Sequence, residues 1–184
     1  MQWLQELRKA MRPPEGGGGP IVATLATVDA AGCPRARSVV VRRLDDGGRL
    51  WIASDGRSEK NEELRRNPAG EVVLWLPGQR LQFRLRGPVE LLGAGSPQDE
   101  RVVLWRELSD SARALFFWPS PGAPLSADSR DVPAAAPASL APPASFEVVV
   151  LRPAEVERLD LRPHPHARSR WRQEDDWRGF DINP

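Results

Sequence analysis

The stretch RLQFRLRGPVELL, residues 80–92, constrains the fold of this 184-residue chain more than any other. Leu81, Phe83 and Leu85 alternate strictly with Arg80, Gln82, Arg84 and Arg86. A period of two puts the apolar set on one face of a strand and the polar set on the other. Such a strand needs a core on one side and tolerates solvent or a polar partner on the other, the habit of antiparallel sheets. The preceding EVVLWL and the turn PGQ make it the second arm of a hairpin.

The same grammar runs through most of the chain. IVATLATV and RARSVVVRRL flank the turn DAAGCP, and DDGG leads into the strand RLWIAS. FEVVVLRPAEVERLDL returns to strand, and RSRWRQEDDWRGFDINP reads as a closing hairpin. Strands joined by short turns predict a mainly β protein, an antiparallel barrel or sandwich with flanking helices. Helical spacing is confined to three places. Trp3, Leu4, Leu7 and Met11 mark a helix stopped by RPPEGGGGP. Ser58 opens a second, which Pro68 ends. Ser96 as N-cap and Pro97 at the first position open a third, running to Trp118 and broken near SDSAR.

We read residues 1–184 as one domain: an N-terminal helix and Gly-rich linker (1–19), the strand-rich body, a Pro/Ala-rich loop (119–145) and C-terminal strands (146–184). The loop holds seven prolines. It is too long for an ordinary connection, so it is either mobile or draped over a surface.

Composition excludes several classes. Hydrophobic residues at 40% and charged residues at 28% suit a globular protein. A net charge of +1 lacks the basic excess of a dedicated nucleic-acid binder. No apolar run approaches the ~20 residues that span a bilayer, and the polar N-terminus has no apolar leader, so the expected location is the cytoplasm. Cys33 stands alone, without a disulfide or a CxxC metal pair. With only His164 and His166 as histidines, no metal site is expected. No P-loop, GxGxxG, GxSxG or HExxH pattern is present.

The chemistry must therefore sit in polar groups on strands and turns. Of 26 Lys and Arg residues only Lys9 and Lys60 are lysines, leaving 26 − 2 = 24 arginines. Lys60 falls in SDGRSEK, just where a helix begins. A helix N-terminus offers unpaired N–H groups and a dipole that favours anions, and Ser54, Ser58 and Lys60 can add two hydroxyls and an ammonium. The plainer alternative is that Ser58 caps the helix and Lys60 points into solvent. In RARSVVVRR, Arg37 and Ser38 lie on opposite strand faces. Arg37 can grip a phosphate, or Arg35, Arg37 and Arg43 can simply solvate an open face. Gln82, between Arg80 and Arg84, needs amide partners wherever its face is covered.

Taken in order, RSVVVR (37–42), WIASDGRSEKNEELRRNP, RLQFRLRG and the C-terminal HAR…DDWRGFDINP resemble the pyridoxamine 5′-phosphate oxidase-like, FMN-binding split-barrel family. The resemblance spans roughly residues 20–184. SDSARALFFWPSPGAP is similar to the branch described as pyridoxamine-phosphate-oxidase-related FMN-binding proteins. The resemblance implies an antiparallel split β-barrel that forms a homodimer, with FMN at the subunit interface and a small-molecule substrate, and without nucleic-acid or membrane partners. Carried over by position, Arg37, Ser58 and Lys60 would bind the FMN phosphate. Ser38, Val39 and Val40 would line the flavin, and Ala53 and Ser54 would flank it. Gln82 would hydrogen-bond the ring edge. Arg168 would reach the flavin from the partner subunit, and Trp118 or its neighbours would come from there too.

Departures from the family pattern touch both the phosphate motif and the substrate side. Glu59 occupies a cationic position of the phosphate motif, Leu159 replaces a tryptophan, His164 replaces an arginine beside the retained His166, and Arg42 replaces a lysine. The resemblance thus implies an FMN-dependent oxidoreductase of open substrate, with Arg42, His164 and His166 facing it. An authentic pyridoxamine/pyridoxine 5′-phosphate oxidase and an NAD(P)H-dependent flavin reductase are the alternatives within that class. A non-catalytic flavin, haem or deazaflavin binder is the alternative outside it.

Overall fold

Alternation in the sequence becomes alternation in burial. In the computed structural model Leu81, Phe83 and Leu85 are buried while Gln82 and Arg84 are half-exposed on the other face. The structure describes residues 1–12, 19–96, 98–125, 130 and 132–184. The expected Gly-rich linker falls largely outside the described residues, as do Pro97 at the expected helix start and residues 126–129 and 131 of the Pro/Ala segment.

Nine strands are joined in one antiparallel sheet: β1 (Ile21–Val28), β2 (Pro34–Leu44), β3 (Leu50–Asp55), β4 (Ala69–Leu76), β5 (Leu81–Leu92), β6 (Phe146–Leu151), β7 (Glu155–Asp160), β8 (Ala167–Arg172) and β9 (Gly179–Ile182). Their order is β4-β1-β2-β3-β6-β5-β7-β8-β9, and a β4–β5 pairing closes the first six into a barrel. Closure removes the edges that a flat sheet would leave. Strand β5 does double duty. One edge pairs β4 from Leu81 to Pro88, while the other pairs β7 up to Arg86 and β6 from Val89 onward. The barrel thus branches at Gly87, and β7, β8 and β9 continue outward as an extension. Only glycine fits that branch point, since a Cβ there would sit 2.0 Å from the Arg152 carbonyl oxygen.

Helices α1 (Gln2–Ala10) and α2 (Glu59–Arg66) close opposite ends. Helix α1 buries Trp3, Leu4 and Leu7 into the barrel core beside the β2–β3 turn, where Gly48 abuts the Trp3 ring. Helix α2 sits at the β1–β2 end and contributes Leu64 to the same core. A second core lies outside the barrel. Helix α3 (Gln98–Glu107) lays Leu104 and Trp105 on Trp51, Val148 and Val150, joined by Phe116 just after the short helix α4 (Asp110–Ala114). Strand β6 is therefore buried on both faces, which explains its unbroken apolar run.

Candidate functional site

Strands β2 and β3 run as a pair only near the β2–β3 turn. Their register holds at Val41↔Ile52, Arg43↔Trp51 and Leu44↔Leu50, with Arg42 bulged between them. Beyond that point Ala53, Ser54 and Asp55 pair with β6 alone. Residues 34–40 of β2 pair with β1 but have no strand on their other side. A strand edge left unpaired presents backbone donors and acceptors to whatever fills the gap. A cleft of about 370 Å³ occupies this gap, lined by Ser38, Val40, Arg42 and Ala53 on one side and Leu115 and Phe116 on the other. Val39 contributes its main chain, its side chain being buried in the barrel.

The cleft meets a second cavity, of about 230 Å³, at Lys60. Arg37, Ser58, Glu59, Lys60, Pro121 and Gly122 form its walls. Helix α2 reaches this place because buried polar groups tie it to the barrel. Glu63 is 5% exposed, accepts from Thr27 Oγ1 at 2.5 Å and pairs with the Arg37 guanidinium at 2.8 Å. Asn61, fully buried, accepts the Ser54 hydroxyl and donates to Glu147 at 2.7 Å. Sequence reasoning missed Asn61, Glu63 and Thr27. No local signal marks them, since a polar residue on a helix as charged as EKNEELRR reads as surface until its partners are known.

The capping alternative fails. Ser58 occupies the N-cap position, but its side chain makes no cap bond. Its hydroxyl donates to the Asp55 carbonyl at 2.6 Å and accepts from Lys60 Nζ at 2.8 Å. Among the described residues the N–H groups of Glu59 and Lys60 have no acceptor, leaving two donors of the first helical turn aimed outward. Nor does Lys60 point freely into solvent. It is half-buried, and burial, followed by the neighbouring Arg37 charge, pulls its pKa below the ordinary lysine value. Among the described residues no carboxylate pairs with it, nor with Arg42, whose pKa burial also lowers. By contrast Arg37 is balanced by Glu63, and Glu59 turns to Arg35 at 3.3 Å, away from the lysine. The charge left over in the joined cavities is therefore positive. A larger cavity of about 620 Å³ beside Gly87 lacks this property, because its charged walls Arg86, Glu155, Arg172 and Glu174 pair with one another or with Glu71.

Not all expected site residues converge here. Arg37, Ser38, Val39, Val40, Arg42, Ala53, Ser58 and Lys60 line the two cavities. Ser54 flanks them with its hydroxyl turned inward on Asn61, so only its main chain faces the gap. Trp118 lies at the rim in the same chain, its carbonyl accepting from Arg57 at 2.9 Å. Gln82 and Arg168 lie elsewhere. They form one cross-strand row, Trp75–Gln82–Leu159–Arg168–Ile182, on the outer face of β4, β5, β7, β8 and β9. Strands β2 and β5 stand opposite each other in the six-strand ring, so outward side chains on them diverge. Beside the row, burial works to raise the Glu157 pKa, but bonds from Arg168 at 2.6 Å and the charges of Arg84 and Arg170 hold it low. His164 and His166 are exposed on the β7–β8 loop that leads into it. Among the described residues no cluster has the makings of a metal site.

The family model described as "Pyridoxamine 5′-phosphate oxidase, FMN-binding domain" matches residues 1–93. A crystal structure of a pyridoxamine 5′-phosphate oxidase-related, FMN-binding protein from Nostoc punctiforme superposes with a TM-score of 0.90 at 30% identity, covering 100% of this chain and 98% of that one. The pyridoxine/pyridoxamine 5′-phosphate oxidase of Salinibacter ruber is 32% identical over 172 residues, 86% of this chain and 77% of its own. Pyridoxine/pyridoxamine 5′-phosphate oxidase 2 of Arabidopsis thaliana is 29% identical over 143 residues, 75% of this chain and 72% of its own. Other oxidases of that name match over only 41% and 39% of their length, so activity and substrate do not follow from the names.

The Lys60 charge, only partly offset by the nearby Asp55 and Glu63 carboxylates, has a measurable consequence. Lowering of its folded pKa means that folding disfavours the ammonium, a cost present at neutral pH and relieved as pH rises toward the unfolded value. Lys60→Met is expected to raise the thermal midpoint of the ligand-free protein at pH 7. The gain should shrink as pH rises toward the unfolded lysine pKa of about 10 and be gone above it. A lower midpoint at pH 7 would show that the ammonium has a stabilising partner.

Proposed function

The chain belongs to the pyridoxamine 5′-phosphate oxidase FMN-binding family, and from that premise we propose that it is an FMN-dependent oxidoreductase acting on a small anionic molecule. The family's cofactor is FMN, and the residues present suit it. One observation carries the reading: Lys60 and Arg42, two cations with no carboxylate ion-pair partner among the described residues, line a cleft that opens on the unpaired edge of β2.

A phosphate monoester fits the smaller cavity. Lys60, Arg37, the unbonded N–H groups of Glu59 and Lys60 and, once turned from the Asp55 carbonyl, the Ser58 hydroxyl are the donors that would hold it. A flat ring system fits the larger cleft, with the Ser38–Val40 main chain offering hydrogen bonds and Leu115 and Phe116 excluding water. FMN supplies the electron chemistry when bound. The protein binds and orients. Arg42, at the cleft wall, offers a charge to an anionic substrate, which the cofactor phosphate on Lys60 leaves unused.

The Gln82–Arg168 row supports a homodimer in this reading. Because it diverges from the cleft within one chain, it serves the cofactor only from a partner subunit, together with His164 and His166 on the substrate side. The barrel core that α1 shares supports treating residues 1–184 as one functional unit. No helix among the described residues is long and apolar enough to cross a membrane. Our reading places the protein in the cytoplasm, where the lone exposed Cys33 stays reduced. The names of its relatives favour a second reading, an authentic pyridoxine/pyridoxamine 5′-phosphate oxidase, and turnover of pyridoxine phosphate separates the two.

Titration with FMN and with riboflavin, which lacks the phosphate, tests the assignment. Lys60→Met should weaken FMN by about tenfold or more and leave riboflavin unchanged. Equal losses for both, or none, would remove the phosphate from Lys60. Light scattering of the flavin-loaded protein should give the mass of two chains, and a flavin-loaded monomer would contradict the shared site.

A further inference from the structure

From residue 132 to 145 the Pro/Ala-rich segment is neither slack nor simply draped. Proline has no N–H, so a chain with Pro133, Pro137, Pro142 and Pro143 is rich in acceptors and poor in donors. Its carbonyls must find donors elsewhere. Side chains that only donate meet them. Arg113, 3% exposed, donates to the Ala136 carbonyl at 2.8 Å. Trp105 Nε1 donates to Leu140 at 2.7 Å, and Trp118 Nε1 to Pro133 at 3.0 Å. Arg101, 8% exposed and without an ion pair among the described residues, donates to Pro143 at 2.5 Å and Phe146 at 2.9 Å. Arginine and tryptophan side chains are donor-only groups, matched here to carbonyls of a donor-poor strap.

The strap's far end touches the cleft wall. Ser145 Oγ donates to the Phe116 carbonyl at 2.6 Å, and the Ser145 carbonyl accepts from Gly56 N at 2.7 Å, just before α2. Trp105 carries the Leu140 bond on one side and packs against Phe116 on the other, with ring centroids 5.9 Å apart. Phe116 itself lines the cleft.

We propose that Ser145 and Trp105 are positioning residues for the flavin side of the site, holding the Phe116 wall against the ring through the latched Pro/Ala strap. This rests on the FMN reading above. The strap acts on the ring and Lys60 acts on the phosphate, so the two roles separate by ligand. Ser145→Ala removes one hydroxyl, and Trp105→Phe removes one N–H while keeping an aromatic ring in the outer core.

The test measures FMN and riboflavin affinities of wild type and both variants, with the thermal midpoint of the flavin-free proteins alongside. Each variant should weaken both ligands alike, by about threefold to tenfold, leaving their ratio at the wild-type value. Flavin-free Ser145→Ala should melt within a few degrees of wild type, which sets positioning apart from general destabilisation. Unchanged affinities in Ser145→Ala and Trp105→Phe would overturn the proposal while leaving the FMN reading intact. A loss for FMN alone would also overturn it, since the strap would then serve the phosphate. A wild type that binds neither flavin would overturn the FMN reading, and this proposal with it.

Discussion

The ion pair between Arg37 and Glu63 is the interaction on which the site depends. It joins β2 to α2 across the barrel end, and Thr27 bridges both partners. A buried pair of this kind adds little net stability, because desolvation offsets attraction, but losing one partner is costly. Its value here lies in placement and charge balance. Helix α2 is held with its N-terminus at the cleft, and the arginine is neutralised from behind. What remains unbalanced at the front is the ammonium of Lys60. Glu59, which by position threatened to cancel that charge, is occupied with Arg35.

A second constraint is the parting of β2 from β3. Closed barrels have no free edges, yet this one leaves residues 34–40 without a neighbour on one side. Pairing runs one residue past the bulge at Arg42, to Val41↔Ile52, and then stops, and Arg42 itself lines the gap. In the proposed reading, binding capacity comes from incompleteness in the sheet. The helical layer stands off across the gap at Leu115 and Phe116, and the Pro/Ala strap holds it there.

Much of this was legible in the chain. Alternation in β5, the turns DAAGCP and DDGG, and the helix ended by Pro68 follow from local rules that act over a few residues. The lone lysine of SDGRSEK stood out by residue choice alone. Closure of the barrel was less accessible, because the β4–β5–β6 and β5–β7 pairings are set by nonlocal register at Gly87. Asn61 and Glu63 were missed because buried polar residues on a charged helix look like surface ones until their partners are known. Ser58 misled in the other direction: its identity says cap, whereas its hydroxyl serves Asp55 and Lys60. The strap was ambiguous for the same reason. Proline content announces a shortage of donors but not where the donors come from.

In the proposed site, the Lys60 end of α2 holds a phosphate ester as its dianion. A free phosphate monoester loses its second proton near pH ~6, and adjacent cations and N–H donors favour the ionised form. Phosphorus NMR of FMN bound to the wild-type protein measures this directly. The account predicts a bound resonance that stays at its dianion position between about pH 5 and 8. A bound resonance that titrates with the midpoint of free FMN would contradict it.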